Sequence, residues 1–181
     1  MSRIVIPSRD HSPAASQPLL DAVGKQLGVI PNLFRLVGLS TAALQAYLGF
    51  SGGLTKTLDL KTRERIALAV AEVNGCDYCL SAHTYLGLNL AKLDAAEITR
   101  NRAGRSGDAK ADAAVRFAAS VATERGKVAD QDLAAVRGAG FSDAQIVEIV
   151  AVVAENVFTN FINNVAETEI DFPVVHAAIA A

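Results

Sequence analysis

The chain has 181 residues, 51% of them apolar, which suffices for one substantial core and is too much for a disordered or collagen-like polypeptide. Its 17 Lys and Arg stand against 19 Asp and Glu for a formal charge of -2, so no overall positive field draws in nucleic acid or an anionic membrane. Aromatic residues make up 6%, Trp is absent, and the apolar fraction is dominated by Ala, Val, Leu and Ile, a composition that favours helix over strand.

An all-α protein is therefore expected. No unbroken apolar run approaches the ~20 residues of a membrane span, the longest being stretches such as 66–71 and 149–154. The opening M-S-R-I-V-I-P-S-R-D meets a Pro and charges before a signal-type segment develops, so a cytoplasmic, non-membrane protein is expected.

In chain order, Leu19, Leu20, Val23 and Leu27 recur at helical spacing and Gly28 supplies a stop, predicting a helix over 13–27. Pro31 suits the first turn of a second helix through Leu33, Phe34, Leu36 and Val37, with a break at Gly38 and Ser40. A third runs over 41–50, and Ser51-Gly52-Gly53 reads as a turn. Asp59 caps a helix over 61–73 that Asn74-Gly75 ends, and a short helix follows over 76–88.

Asp94 with Glu97 forms a capping box, and 100–110 reads as a loop whose basic residues are solvated. Helices resume over 111–123 and 130–136. Ser142 with Gln145 caps a long last helix reaching at least Phe161, whose Ile146, Val147, Ile149, Val150, Val152, Val153 and Val157 predict burial on most sides. Either subunit association or a central place in one bundle would supply that burial. With no repeat and no linker, 1–181 is read as a single domain.

The segment A-E-V-N-G-C-D-Y-C-L-S-A-H carries the chemistry. At ~100° per residue, Cys76, Cys79 and His83 fall within about 60° on one helical face. A thiol at a helix N-terminus gains from unpaired N–H groups and the dipole, which favours Cys76. Cys79, one turn before His83, gains a base able to accept its proton. A thiolate that attacks a peroxide becomes a sulfenic acid, and a second thiol three residues away can condense with it to a disulfide. Structural zinc needs four ligands, where the chain offers one C-x-x-C with His11, His83 and His176. Plain buried cysteines are the other alternative. A thioredoxin-like fold is excluded by the lack of βαβ alternation.

The run T-R-E-R-I-A-L-A-V-A-E-V-N-G-C-D-Y-C-L-S-A-H-T-Y-L-G resembles the core of the alkylhydroperoxidase D-like, carboxymuconolactone decarboxylase family, and with I-P-N-L-F-R and N-F-I-N-N-V-A-E-T-E-I-D-F-P it is most similar to the peroxidase-related branch. The resemblance covers nearly the whole chain. It implies an all-α helical bundle with the active site on a helix pair, assembled as a trimer or hexamer. It implies that Glu64, Cys76, Cys79 and His83 form a proton relay, with Cys79 the peroxidatic thiol, His83 helping to deprotonate it, Cys76 the more exposed resolving thiol, and Glu64 passing or orienting protons. The best-known peroxidase of the family has a histidine where this chain has Tyr78, and a phenol is a poor base near neutral pH.

Glu72, four residues before Cys76, is a reserve candidate whose plain reading is a salt-bridged or exposed helix residue. Asn156, Asn160, Asn163 and Asn164 form a polar stripe on the last helix, explained either by hydrogen bonds to helix ends or across an interface, or by lining the peroxide pocket. Tyr85 and Phe158 are read as packing residues, and His176 and His11 as non-catalytic.

The expected activity is a thiol-dependent peroxidase acting on hydrogen peroxide or organic hydroperoxides, with no metal or organic cofactor. An external dithiol or lipoyl-bearing protein would recycle it. The alternatives are a redox sensor or disulfide-exchange protein and, with the C-x-x-C against it, a carboxymuconolactone-type decarboxylase.

Overall fold

The computed structural model describes residues 2–178. Among these residues the chain forms nine α-helices and no strand: α1 (Gln17–Leu27), α2 (Asn32–Val37), α3 (Thr41–Leu54), α4 (Leu60–Val73), α5 (Asp77–Asn89), α6 (Ala95–Arg102), α7 (Ala109–Thr123), α8 (Asp130–Gly138) and α9 (Asp143–Ala166), with a 3-10 turn at Arg9–His11 before them.

The centre of the bundle is α4, which packs against α5, α6, α7 and α9. From Ile66 to Glu72 every one of its side chains is buried, because three alanines among the larger residues let neighbouring helices approach on all sides. Of the two alternatives for the last helix, the central place in the bundle thus falls to α4 instead. On α9 only one face is buried. Its Ile146, Ile149, Val152 and Val153 join Ile66 and Val70 of α4 and Ala114, Phe117 and Val121 of α7 in one core.

The other face of α9 carries Val147, Val150, Ala154, Phe158, Phe161 and Val165, all exposed and spaced three or four apart, an apolar stripe along the whole rod. By length and composition α9 is long and apolar enough to cross a bilayer, a property that counting unbroken apolar runs did not register, but one of its faces is built into the core of a helical bundle. A second core gathers Leu20, Leu33, Val37, Leu44, Leu68, Leu80 and both cysteines.

Side-chain caps set most helix starts: Ser40, Asp59, Asp94, Asp108 and Ser142 each accept from a backbone N–H three residues on. The boundaries correct the sequence reading in several places. Helix α1 starts at Gln17, since 13–16 form a turn, and Pro31 is the extended residue before α2 rather than part of its first turn. Helix α3 runs straight through Ser51-Gly52-Gly53 to Leu54, whose side chain is anchored in the first core. Nothing lies within 4 Å of a Cβ at Gly52 or Gly53, so these glycines face open space inside a helix.

The 100–110 loop shrinks to residues 103–108. Its basic neighbours are not free: Arg102 binds Glu72 and Arg105 binds Asp112. The Ser142–Gln145 box is complete, whereas at Asp94 only half forms, because the Glu97 carboxylate turns inward instead of back to the cap. There it accepts from Arg65 Nε (2.9 Å), Asn101 Nδ2 (3.1 Å), Gly107 N (2.9 Å) and Ser106 Oγ, tying α6 and the following loop to α4.

The segment after α9 returns over the N-terminal end of α5. Asp171 accepts from the Tyr78 hydroxyl (2.8 Å) and from Asn32 N (2.7 Å), Val175 N donates to Ser81 Oγ (2.9 Å), and Ala177 N donates to Asp77 (2.8 Å). Phe172 lies edge-on to the Tyr78 ring, with centroids 5.9 Å apart.

Candidate functional site

The Asn74-Gly75 turn, with Gly75 at φ 59, ends α4 and lets the chain reverse within three residues into α5. This brings the buried face of α4 beside the first turns of α5. Cys76 is the N-cap of α5, and its Sγ accepts from Cys79 N at 3.4 Å, taking the place of the usual Ser or Asp oxygen. Both cysteines are free thiols. Both are also buried, Cys76 at 0% and Cys79 at 2% exposure, so Cys76 is not the more exposed of the two as expected; an N-cap enclosed by the second core is shielded on every side.

One turn further along α5, His83 Nδ1 is 2.9 Å from Glu64 Oε2 of α4, an ion pair with little solvent exposure. From the last helix Asn163 Nδ2 donates to Cys79 Sγ at 3.3 Å. Three elements therefore meet at the Cys79 sulfur: α5 with the thiols and imidazole, α4 with the carboxylate, and α9 with the amide. Among the described residues no hydrogen bond joins the imidazole directly to either sulfur, so His83 acts on Cys79 through its charge.

Burial on its own pushes the Cys79 thiol up. The hydrogen bond from Cys76, the charge of His83 and the amides of Asn163 and Asn160 outweigh it and bring the thiol down to about 7. Cys76 moves the opposite way, raised because it donates to Cys79 and because it is buried. The helix-dipole argument that favoured Cys76 is thereby overridden by a specific hydrogen bond. For His83, burial lowers its proton affinity, but the Glu64 carboxylate more than compensates and raises it to about 8. The two shifts act together, each favouring a thiolate beside an imidazolium.

The two reserve residues are committed elsewhere. Glu72 holds Arg102 (Oε2 to Nε, 2.7 Å) and accepts from Ala178 N (2.6 Å), the salt-bridged alternative. Tyr78 accepts from Leu33 N (3.1 Å) and donates to Asp171, which turns its hydroxyl toward α2 and the C-terminal segment and away from any proton relay.

The Asn stripe divides. Asn164 donates to Asn74 O (2.9 Å) and Asn160 accepts from Asn74 Nδ2 (2.8 Å), so both fasten α9 to the end of α4, while Asn156 bonds back to Val152 O. Asn163 and Asn160 also belong to the thiol site; the periodicity of the stripe was visible in sequence, its partner 84 residues away was not. Tyr85 and Phe158 are in ring contacts with Phe172 and Tyr47, and His176 pairs with Asp77 at the surface. Exposed His11 faces Ser8.

Among the described residues no three His, Cys, Asp or Glu side chains are grouped to hold a metal ion, which leaves the zinc alternative without a ligand set. Two surface clefts, one bordered by Asp59, Arg65, Lys110 and Gln145 and one by Asp112, Arg116 and Gln131, lie away from the thiols.

A helical bundle with a C-x-x-C pair capping one helix and a carboxylate–imidazole pair beside it defines a class of protein before any relative is considered. Residues 41–119, from α3 into α7, match the model of the carboxymuconolactone decarboxylase family. An uncharacterized protein of Haemophilus influenzae is 55% identical over 42 residues, which are 22% of this chain and 37% of that protein, so the chain matches little more than a third of that relative's length.

Among solved structures, an uncharacterized peroxidase-related protein from Ralstonia eutropha JMP134, described as an alkylhydroperoxidase AhpD core, superposes with a TM-score of 0.83 at 22% identity over 94% of this chain and 92% of its own. The debrominase Bmp8 superposes with a TM-score of 0.76 at 18% identity over 94% and 91%. These likenesses establish the alkylhydroperoxidase-type fold and leave the reaction to be argued from the site.

Proposed function

We propose that the protein is a thiol-dependent peroxidase for hydrogen peroxide or organic hydroperoxides, with Cys79 as the attacking thiol. The observation that carries this reading is the set of groups on the Cys79 sulfur. A buried thiol that would otherwise stay protonated is brought down to about 7 by Cys76, by the His83–Glu64 pair and by the α9 amides.

The Cys79 thiolate attacks one peroxide oxygen; an S–O bond forms, the O–O bond breaks, and the departing alkoxide or hydroxide takes a proton from the His83 imidazolium, which Glu64 stabilises. Cys76, adjacent and protonated, then displaces the sulfenic oxygen as water and closes a Cys76–Cys79 disulfide. An external dithiol or lipoyl-type protein returns both thiols, and no metal or organic cofactor takes part. We read the protein as a cytoplasmic homo-oligomer, trimer or hexamer, with the α9 apolar stripe as the surface that association covers.

Peroxide consumption with dihydrolipoamide, compared across wild type, Cys79→Ser and Cys76→Ser with a sulfenic-acid trap, tests the reading. Turnover lost in both variants, with sulfenate accumulating on Cys79 in Cys76→Ser, is the expected result. Sulfenate on Cys76 would reverse the thiol order, and a wild type that consumes no peroxide although its thiols are free would hand the site to disulfide exchange.

A further inference from the structure

The hydrogen-bond inventory around Cys79 is incomplete in a particular way. Asn160 is 0% exposed and Asn163 is 2% exposed, and they lie three residues apart on one face of α9. Asn160 Oδ1 is fixed by Asn74 Nδ2, and Asn74 is itself held through its carbonyl by Asn164. That orientation leaves Asn160 Nδ2 buried with no partner in full hydrogen-bond geometry, its one polar influence being the weaker pull by which it helps lower the Cys79 thiol. Asn163 spends its Nδ2 on Cys79 Sγ and leaves Oδ1 buried and unpartnered. Beside one sulfur, then, stand one donor held only weakly by that sulfur and one acceptor with no partner, each costly to leave unmet in a protein interior.

We infer that Asn160 and Asn163 form the recognition site for the hydroperoxide group, Asn160 Nδ2–H donating to a peroxide oxygen while Asn163 Oδ1 accepts the terminal O–H. The inference rests on the peroxidase reading and adds to it the two residues that select the substrate class. A hydroperoxide offers an acceptor oxygen and a donor hydroxyl at adjacent atoms, which matches the vacant pair; a dialkyl peroxide or an alkyl halide lacks the donor. After the S–O bond forms and the O–O bond breaks, the sulfenic acid presents the same hydroxyl to the same two amides.

The test compares two reagents for one thiolate. In the Cys76→Ser background, the rate of Cys79 oxidation by hydrogen peroxide is divided by its rate of alkylation by iodoacetamide, which needs the thiolate but no hydroperoxide recognition. Asn160→Asp keeps the acceptor for Asn74 and the volume while deleting the N–H, and Asn160→Leu deletes it without adding charge. The ratio is expected to fall about 10- to 100-fold in both variants. An unchanged ratio, with both rates falling together or neither, overturns the inference and leaves the peroxidase standing.

A measurement independent of variant folding uses the protein with Asn160 intact, whose ratio is expected to exceed that of free dithiothreitol thiolate by at least about tenfold. Equality with the free thiol overturns the inference. Failure of peroxide to oxidise Cys79 at all overturns the peroxidase reading with it.

Discussion

Glu64 and His83 act on Cys79 as a unit, so removing the carboxylate charge should be felt at two other atoms. In Glu64→Gln, His83 loses the partner that does most to hold it at about 8, and burial is then opposed only by the charges of Cys79 and Glu155; its titration, followed by NMR of the ring protons, should move to lower pH. Cys79 then loses a facing cation and its own titration should rise. Wild-type alkylation should increase with pH through about 7, below the ~8.5 of an ordinary thiol, and the Glu64→Gln profile should move to higher pH.

The make-up of this candidate site was legible in sequence, since Cys76, Cys79 and His83 follow from helical spacing and Glu64 from a family resemblance. What could not be read is burial. Spacing places a thiol on a helix face but does not say that both thiols lie inside the second core, or that Tyr78 spends its hydroxyl on Asp171, 93 residues away.

At the scale of elements, the start of α6 shows where local rules give way to tertiary ones. Asp94 and Glu97 have the spacing of a capping box, yet Glu97 makes a better set of bonds inward, to Arg65, Asn101, Ser106 and Gly107. Burial raises this carboxyl, those donors outweigh it, and the result lies at about 2. Because the folded value is depressed, the stabilisation is fully present above the ordinary value of 4.5 and is lost as pH falls from there toward 2.

Glu97→Ala should cost about 2 to 4 kcal/mol in urea denaturation at neutral pH and flatten the loss of stability across that acid window. Ser142→Ala, at a cap where the reciprocal box does form, should cost only about 1 kcal/mol. Caps and periodicity located the helices themselves well. The ends that moved, at Ser51-Gly52-Gly53 and at 100–110, moved because a buried anchor such as Leu54, or an ion pair such as Arg102–Glu72, extended a helix past residues that locally favour a turn.

For the whole molecule, the sequence left open whether α9 is central in the bundle or covered by a second subunit. The structure gives the central place to α4, whose alanines admit four neighbours, and leaves α9, rich in Ile and Val, with one apolar face uncovered. The proposed self-association would cover that face, and Phe161, at 54% exposure, is the side chain to test. Light scattering should find an oligomer for wild type and a smaller species for Phe161→Glu, whose carboxylate would have to be desolvated at the interface. A monomeric wild type at working concentration would contradict that account of α9.

The return of the chain over α5 has a bearing on biosynthesis. Asn163 reaches Cys79 across 84 residues, and Ala177 reaches Asp77 across 100. A nascent chain that has delivered the C-x-x-C turn still lacks both the α9 amides and the C-terminal cover. Until α9 and the segment behind it have left the ribosome, the two cysteines lack these partners, and Cys79 acquires its full surroundings only once residue 177 has been added.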